Sequence, residues 1–342
     1  MSKILSIIIP SYNMEKYLNQ CLDSLLISSI YLIEVMIIND GSKDKTSEIA
    51  HKYASRYPES IKVIDKKNGN YGSCINQGIK EAKGKYVKVL DADDSFYKHN
   101  FERFVMFLTH TDADLIISNY DIVNEDGAVT REIRFGQYLS RDIQDFDSKI
   151  LSIPVGQFQM HAVTYRVSNL KEMNYRQTEG MSYTDQEWMF MPMSGIKTYA
   201  FFNLPVYRYL VGRAGQTIME DQSKHWLPVT CLVRKMIPEY KNIAEGLKEI
   251  HGQYLKSRLA WLVASIYRNS LLYNSGQDLF ENARKLDLFL LENLPEILVA
   301  ADKDRIKSYI PVAYVKKWRN NNYDPQTMSI RLIRKLFHNY HR

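Results

Sequence analysis

Apolar, β-branched runs alternate with amphipathic helical segments along the first 120 residues of this 342-residue chain. Ile4 to Ile9 and Ile33 to Ile38 are typical of strands that are buried on both faces of a sheet. Between them, apolar residues recur at helical spacing from Glu15 to Ser28. The alternation continues through further predicted strands at Ile61–Ile64, Tyr86–Leu90 and Leu115–Ser118. It predicts an α/β fold with a doubly wound, mostly parallel sheet, whose ligands bind beyond the carboxyl ends of the strands.

The positive charge of the chain is concentrated near its C-terminus. Residues 301–342 contain ten Lys or Arg and three Asp, an excess of seven. The net charge of the whole chain is +6, so the preceding 300 residues together carry −1. A nearly neutral main body argues against nucleic acid as a partner.

The cysteines and the N-terminal sequence indicate a cytoplasmic protein. Cys21, Cys74 and Cys231 are far apart and form no spacing typical of a zinc site or a disulfide framework. The short apolar run before Pro10 predicts a strand rather than a signal peptide. No apolar stretch reaches the roughly 18 residues that a transmembrane helix needs.

Three carboxylates follow the predicted strand at Tyr86–Leu90. Asp91 and Asp93 fall on the same side of an extended chain, because side chains alternate with a period of two. Together they could hold one Mg²⁺ or Mn²⁺ ion that also carries substrate phosphates. Alternatively, Asp93 or Asp94 caps the helix predicted near Lys98. This segment alone leaves both interpretations open.

Turn-forming and polar residues follow the other early strands as well. The segments are Pro10-Ser-Tyr-Asn13, Asn39-Asp-Gly-Ser42 and Asn68-Gly-Asn-Tyr-Gly72. Ordinary turn chemistry explains any one of them. Because all of them lie at carboxyl ends of parallel strands, we expect them to share one crevice with Asp91 and Asp93.

Taken in order and spacing, these four segments resemble those of family 2 glycosyltransferases with the GT-A fold, over roughly residues 4 to 210. The resemblance implies a Rossmann-like, nucleotide-binding sheet, a nucleotide-sugar donor that is usually UDP-linked, and inversion of the anomeric carbon in one displacement. It also implies a GT-A catalytic domain at 1–220, with donor binding in 1–120 and the acceptor side in 121–220. Residues 221–342 would form a C-terminal helical region.

The resemblance assigns five positions to the nucleotide. Pro10 and Tyr12 would line the base pocket, with the ring of Tyr12 stacked on uracil. Asp40 would accept a hydrogen bond from the uracil imide. Asn68 and Gly72 would border the nucleotide.

Two acids and one arginine are expected near the sugar and the diphosphate. By the resemblance, Asp91 would hold the ribose or the donor sugar, and Asp93 would ligate the Mn²⁺ or Mg²⁺ ion. Arg213 lies in a glycine-flanked basic loop, within Tyr207–Thr217, that could fold over the donor. Its guanidinium could bind the diphosphate with two hydrogen bonds, or it could simply be solvated.

Asp185 is the expected general base, which takes a proton from the acceptor hydroxyl. It matches the second acid of an acid-Asp pair in the family, but the first acid is replaced by Thr184 here. Alternatively, Thr184 or Asp185 only caps a helix. Glu187 is the second candidate for the base. His161 could also approach the site, but a lone histidine beside a strand is expected to be structural.

The last segment, from Ser329 to Arg342, predicts a basic amphipathic helix. Such a helix suits an anionic membrane surface, and Lys316, Lys317, Trp318 and Arg319 could extend its basic patch. Alternatively, its apolar face packs on the rest of the protein. Bacterial members of the family that the sequence resembles often extend saccharides attached to membrane lipids. The resemblance therefore favours a saccharide or lipid-linked glycan acceptor and a location at the inner face of the cell membrane.

Two other functions compete with this hypothesis. A sugar-phosphate nucleotidyltransferase would share the sheet and the acidic metal site, but it needs a glycine-rich basic loop after the first strand, where Pro10 to Asn13 stand. A catalytically degenerate, nucleotide-sugar-binding scaffold module would not need the intact acids. The sequence leaves the oligomeric state open, and a homo-oligomer is compatible with it.

Overall fold

The computed structural model describes residues 2–140, 142–213, 216, 222–273, 277–302 and 314–340. The chain divides into two compact units, 1–213 and 214–342. Donor binding by residues 1–120 and acceptor binding by residues 121–220 stay predictions.

The first unit is built on one sheet. Its strands are β1 (Leu5–Ser11), β2 (Ile33–Asn39), β3 (Ile61–Asp65), β4 (Tyr86–Val89), β5 (Ser95–Phe96), β6 (Leu115–Val123), β7 (Val129–Ile133), β8 (Gln144–Asp145), β9 (Val163–Arg166) and β10 (Thr198–Leu210). Its helices are α1 (Leu18–Asp23), α2 (Thr46–Arg56), α3 (Asn70–Glu81), α4 (Lys98–Thr109), α5 (Ser148–Ser152), α6 (Val167–Glu172) and α7 (Asp185–Trp188). These elements confirm the predicted α/β class.

The strand order is β3-β2-β1-β4-β9-β6-β10-β5. The first four strands in this order are parallel, as predicted, and so is the pair β6 and β10. Strand β9 lies between β4 and β6 and is antiparallel to both. The sheet is therefore mixed, and the ends of β1, β2, β3 and β4 face one edge.

Burial of both faces explains why the central strands consist of continuous apolar runs. Every residue of β2 is buried, and so are all residues of β1 except Pro10. Flanking helices supply the covering layers; α3, for example, buries Cys74, Ile75 and Ile79. A core of this kind holds the strand ends rigidly, and the polar segments that follow the strands are positioned by it.

The second unit is helical among its described residues, as the sequence predicted. Its helices are α8 (Gln222–Ala244), α9 (Glu249–Arg268), α10 (Gln277–Asn293), α11 (Pro295–Ala301), α12 (Tyr314–Asn320) and α13 (Met328–Tyr340). Among the described residues, no helix combines the length and the apolar character that a membrane crossing requires.

A buried ion network holds the second unit together. The carboxylate of Asp287 is fully buried on α10 and accepts two hydrogen bonds from Arg319, at 2.9 and 2.8 Å. Tyr267 and Tyr323 donate to the same carboxylate from 2.7 and 2.9 Å. Arg319 and the fully buried Trp318 are therefore part of the interior, which corrects their assignment to an exposed basic patch.

Candidate active site

The ends of β1 and β2 are joined by hydrogen bonds between their loops. Asn13 has a positive φ of 54°, a conformation that asparagine tolerates better than most residues. Its backbone N–H donates to Ser42 Oγ at 3.1 Å, and its side-chain oxygen accepts from the Lys43 N–H at 2.9 Å. Beside this junction, Pro10 is half-buried and Tyr12 is 45% exposed. The Tyr12 ring is thus accessible for stacking against a base.

Asp40 connects the ends of β2 and β3. Its side chain is almost fully buried, and Oδ1 accepts hydrogen bonds from Lys66 Nζ at 2.6 Å and from the Gly69 N–H at 3.0 Å. The Asn68 side chain donates to the Asp40 carbonyl oxygen at 3.0 Å. Lys66 also donates to Ser73 Oγ, at 2.8 Å. Lys66, which the sequence did not single out, compensates the buried charge of Asp40.

Gly72 is buried in the first turn of α3 and contacts protein backbone. A Cβ atom at this position would overlap the carbonyl oxygen of Thr178. The Gly180 N–H also donates to the Gly69 carbonyl, at 2.9 Å. The absence of a side chain at Gly72 therefore allows the segment before α7 to lie directly against the start of α3.

Glu187 fastens the same segment to α7. Its two carboxylate oxygens accept from the Thr178 N–H and from Thr178 Oγ1, both at 2.6 Å. The side chain is almost fully buried. This arrangement suits Glu187 to holding the loop, and it favours Asp185 over Glu187 as the proton acceptor.

Three carboxylates converge after β4. Asp91, Asp93 and Asp94 each offer one oxygen, and these oxygens lie within 4.8 Å of one another. Asp91 and Asp93 are partly accessible, whereas Asp94 is buried. Carboxylate oxygens at this separation form a donor set that suits a hard divalent cation, so the residues fit the Mn²⁺ or Mg²⁺ ion that the family resemblance implies.

Asp94 is fixed by strand β10 and does not cap a helix. Its carboxylate accepts from Tyr207 Oη at 2.6 Å and from the Leu210 N–H at 2.7 Å. Helix α4 begins at Lys98 with Tyr97 at its N-cap, and no side chain makes the capping bond. The capping interpretation of the acids was therefore wrong, because the short strand β5 intervenes and β10 supplies the donors.

Electrostatic repulsion within this acidic cluster is strong. Burial, reinforced by the charge of Asp93, raises the pKa of Asp91 to about 7, although Tyr71 Oη donates to its Oδ1 at 3.0 Å. Burial and the charges of Asp93 and Asp91 also raise the pKa of Asp94. The three acids together favour a bound cation, because a positive charge between them would remove this repulsion.

Arg213 supplies one positive charge to the cluster. Its Nε lies 2.5 Å from Asp93 Oδ2, and its guanidinium carbon is 5.1 Å from the centre of the Tyr17 ring. Arg213 is only 8% exposed, so the interpretation as a solvated arginine was wrong. Ala214, Gly215 and Thr217 of the predicted basic loop lie outside the described residues.

Asp185 is the first residue of α7 and lies on the same side as the acidic cluster. Its charge contributes to raising the pKa values of Asp91, Tyr71 and Tyr209. Its Oδ2 accepts from Gln186 Nε2 at 2.7 Å. Thr184 occupies the N-cap position but makes no side-chain capping bond. Asp185 is half-buried and lies within electrostatic reach of Asp91.

His161 and Lys88 both lie against the ring of Tyr207, whose hydroxyl donates to Asp94. Burial lowers the pKa of His161 to about 3, and its ring stacks on Tyr209 with centroids 4.2 Å apart. A neutral, stacked imidazole fits the structural role that was expected of His161.

Lys88 Nζ donates to the carbonyls of His161 and Val163 at 2.8 and 3.1 Å, and burial lowers the pKa of Lys88 to about 7. A lysine within an apolar strand was the sequence signal for this contact, and it was missed.

Comparison with known proteins identifies a family for the larger part of the first unit. Residues 6–173 match the family described as Glycosyl transferase family 2. The chain carries a family 2 glycosyltransferase domain.

Several curated relatives of this domain are described as uncharacterised glycosyltransferases. One from Mycoplasma genitalium is 35% identical over 177 residues, which are 49% of this chain and 57% of the relative. EpsJ of Bacillus subtilis is 38% identical over 116 residues, 34% of this chain and 33% of the relative. YibD of Escherichia coli is 26% identical over 260 residues, 73% of this chain and 75% of the relative. The alignments with the first two thus span less than two thirds of the relatives.

A solved structure extends the likeness of fold along the chain. Residues 1–349 of S. aureus TarS, in complex with UDP-GlcNAc, align with a TM-score of 0.69, covering 99% of this chain and 91% of that one. The sequence identity is 17%, so the likeness concerns the fold. It confirms the predicted GT-A-type architecture with a helical C-terminal region.

Proposed function

We propose that this protein is an inverting glycosyltransferase that moves a sugar from a UDP-sugar to a hydroxyl group of a saccharide or lipid-linked acceptor. The observation that carries the proposal is that Arg213 pairs with Asp93 of the acidic cluster, while Asp185 lies within electrostatic reach of Asp91. The UDP-GlcNAc complex of a protein with the same fold supports the choice of donor.

Each group has a distinct part in binding the donor. The exposed ring of Tyr12, beside Pro10, would stack on the base, and Asp40, with Asn68 and the start of α3 at Gly72, would border the nucleotide. Asp91 would hold the ribose or the donor sugar. Arg213, already beside Asp93, would bind the diphosphate with its planar guanidinium.

Proton transfer and charge stabilisation fall to different residues. Asp185 would accept the proton of the acceptor hydroxyl as that oxygen attacks the anomeric carbon and the diphosphate departs. An Mn²⁺ or Mg²⁺ ion held by Asp93 would stabilise the negative charge that develops on the leaving diphosphate. A single carboxylate base is sufficient for a direct, inverting displacement.

The C-terminal helix suggests that the protein encounters its acceptor at a membrane surface. On α13, Ile330 and Ile333 are buried within the second unit, whereas Leu332 is 57% and Leu336 40% exposed. Two basic residues beside this exposed stripe, Arg331 and Lys335, are exposed as well. The helix thus has one packed face, and its second, apolar and basic stripe suits an anionic membrane surface. Side chains 337–340 and residues 341–342 lie outside the described part of the tail.

We therefore place the protein in the cytoplasm at the inner face of the cell membrane, in cell-surface polysaccharide biosynthesis. Vesicle flotation with anionic and with neutral vesicles tests this location. Leu332→Ser combined with Leu336→Ser should weaken binding to anionic vesicles, while the matched change Leu291→Ser, at an exposed leucine of α10, should not. Equal binding by all three proteins would contradict the membrane contact.

The activity is tested by screening UDP-sugars for Mn²⁺-dependent hydrolysis and transfer. Wild-type protein should turn over one donor, and Asp93→Asn and Asp185→Asn should each lose most of that turnover. Binding of UDP-sugars without any turnover would indicate a scaffold module instead. Release of pyrophosphate from a nucleoside triphosphate and a sugar phosphate would indicate a nucleotidyltransferase.

A further inference from the structure

A cleft of about 320 Å³ opens beside the acidic cluster, on the side of the β6–β7 turn. Its lining includes Tyr17 and Gln20 from the α1 region, Asp93, Glu125 and Asp126 of the turn, and Arg208 of β10. Apart from Asp93, none of these residues has been assigned to the donor. The volume is at the low end of the range for ligand sites, about 300–1,000 Å³, which suits a short ligand better than a whole nucleotide-sugar.

Arg208 brings a guanidinium, and thus a positive charge, to this cleft. One terminal nitrogen of its guanidinium donates to the Gly127 carbonyl at 3.1 Å, and the group lies 5.2 Å from the centre of the Tyr97 ring. Its Nε is buried and has no hydrogen-bond partner. Within the described part of the chain, no carboxylate lies within ion-pair distance of Arg208. A half-buried guanidinium without an anion is costly, so a ligand with acceptor oxygens would be stabilised here.

The turn that contacts Arg208 supplies acceptors to the cleft. Gly127, at φ 77°, closes a turn in which its N–H donates to the Asn124 carbonyl at 2.9 Å. This turn presents Glu125 and Asp126, both exposed, at the rim of the cleft. Tyr17 Oη donates to Glu125 at 3.4 Å.

This combination of groups selects among ligand classes. Asp93 is already paired with Arg213, but Glu125 and Asp126 still outnumber the guanidinium of Arg208, so the lining would repel an anion. An apolar ligand would leave Arg208 unsatisfied. A ligand rich in hydroxyl groups can both donate to carboxylates and accept from a guanidinium, and the ring of Tyr17 offers an apolar surface for a sugar face. The lining therefore matches a neutral saccharide.

We propose that this cleft is a saccharide subsite that binds the acceptor glycan next to the donor site. The proposal rests on the proposed glycosyltransferase function. Tyr17 links the two sites, because it lines the cleft and its ring also contacts the guanidinium of Arg213, which is paired with Asp93. An acceptor in the cleft would thus touch the residue that supports Arg213, and it would lie beside Asp93.

Saturation-transfer NMR with methyl glycosides of glucose, galactose and N-acetylglucosamine tests the subsite, at about 10 mM because single sugars bind weakly. Wild-type protein should bind at least one glycoside, and saturating UDP with Mn²⁺ should not displace it. Glu125→Gln combined with Asp126→Asn should weaken that binding about tenfold or more, as loss of two charge-assisted hydrogen bonds predicts. Glu132→Gln is the matched control, since this exposed acid lies on β7 outside the cleft lining.

The outcomes separate the subsite from the activity. Two results would overturn the subsite while the proposed function stands. In the first, the protein binds UDP with Mn²⁺ but none of the glycosides. In the second, the double variant binds the glycoside as well as wild type does. Displacement of the glycoside by UDP would also overturn it, because the two ligands would then share one site. Glycoside binding without any UDP binding would instead contradict the proposed donor. Both changes lie in an exposed turn, and an unchanged thermal midpoint confirms that the double variant is folded.

Discussion

Nε of Arg213 lies 2.5 Å from Oδ2 of Asp93, the carboxylate to which the family resemblance assigns the metal. The two residues are 120 positions apart in the chain. The guanidinium and a divalent cation would compete for the same carboxylate. We therefore infer that Arg213 compensates the charge of Asp93 until metal and donor bind, and that it then turns to the diphosphate.

Arg213→Gln should separate metal binding from donor binding. Without the competing guanidinium, Mn²⁺ alone should bind more tightly than to wild-type protein. UDP in the presence of Mn²⁺ should bind about 10- to 100-fold more weakly, because a charge-assisted contact to the diphosphate is lost. Isothermal titration calorimetry measures both affinities. Arg176→Gln is the matched control at an exposed arginine, and unchanged Mn²⁺ and UDP affinities in Arg213→Gln would contradict the competition.

Asp185→Asn should abolish proton acceptance without disturbing the donor. The change keeps the shape of the side chain and its contact with Gln186. We expect transfer to fall by about 10²- to 10⁴-fold, the usual range for loss of a general base, with UDP affinity changed little. Steady-state kinetics and calorimetry on the same preparation measure the two quantities. A variant with near-normal transfer would exclude Asp185 as the base.

Glu187→Gln should act on stability rather than on chemistry. Both oxygens of Glu187 accept from Thr178, so an amide in their place exchanges two charge-assisted hydrogen bonds for neutral ones, with the Thr178 hydroxyl turned to accept from the new NH2 group. The free energy of unfolding should fall by about 1–2 kcal/mol, because hydrogen bonds to charged groups contribute more than neutral ones. Urea unfolding measures this loss, while transfer by the folded variant should stay within a few-fold of wild type. A large loss of transfer at unchanged stability would make Glu187 the base.

The central strands and the positions of the site loops could be predicted from the sequence. Continuous apolar runs such as β2 are specific to strands buried on both faces, and the polar residues that follow them include Asp40 and Asp91. The antiparallel direction of β9 could not be predicted, because the pattern of side chains along a strand is the same in either direction.

The partners of the site residues were also beyond prediction. Tyr207 donates to Asp94 across 113 positions of sequence, and the pairing of Arg213 with Asp93 spans 120. These contacts depend on the strand order, which brings β10 beside β5 and thus beside the loop after β4. Local sequence patterns do not show which strands are neighbours in the sheet. The sequence therefore suggested that Asp94 caps a helix, and it left open the possibility that Arg213 is solvated.

Lys88 should make the stability of the fold depend on pH. Burial lowers its pKa from 10.5 to about 7, so between these values the unfolded chain binds a proton that the folded protein does not. The free energy of unfolding should therefore rise with pH across this window, by at most about 1.4 kcal/mol per pH unit from this group. Below pH 7 Lys88 is protonated in both the folded and the unfolded state, so the destabilisation caused by burying its charge is fully present. His161, whose pKa burial lowers to about 3, does not titrate in this window.

Urea unfolding at several pH values between about 7 and about 10, compared between wild type and Lys88→Met, isolates this contribution. The variant loses two hydrogen bonds to the carbonyls of His161 and Val163, which shifts its stability by an amount that does not depend on pH. The informative quantity is therefore the slope, and it should be smaller in the variant. Lys85→Met is the matched control, because the Lys85 ammonium pairs with the exposed Asp112 at 2.8 Å. Equal slopes in wild type and Lys88→Met would show that Lys88 keeps its proton throughout this range.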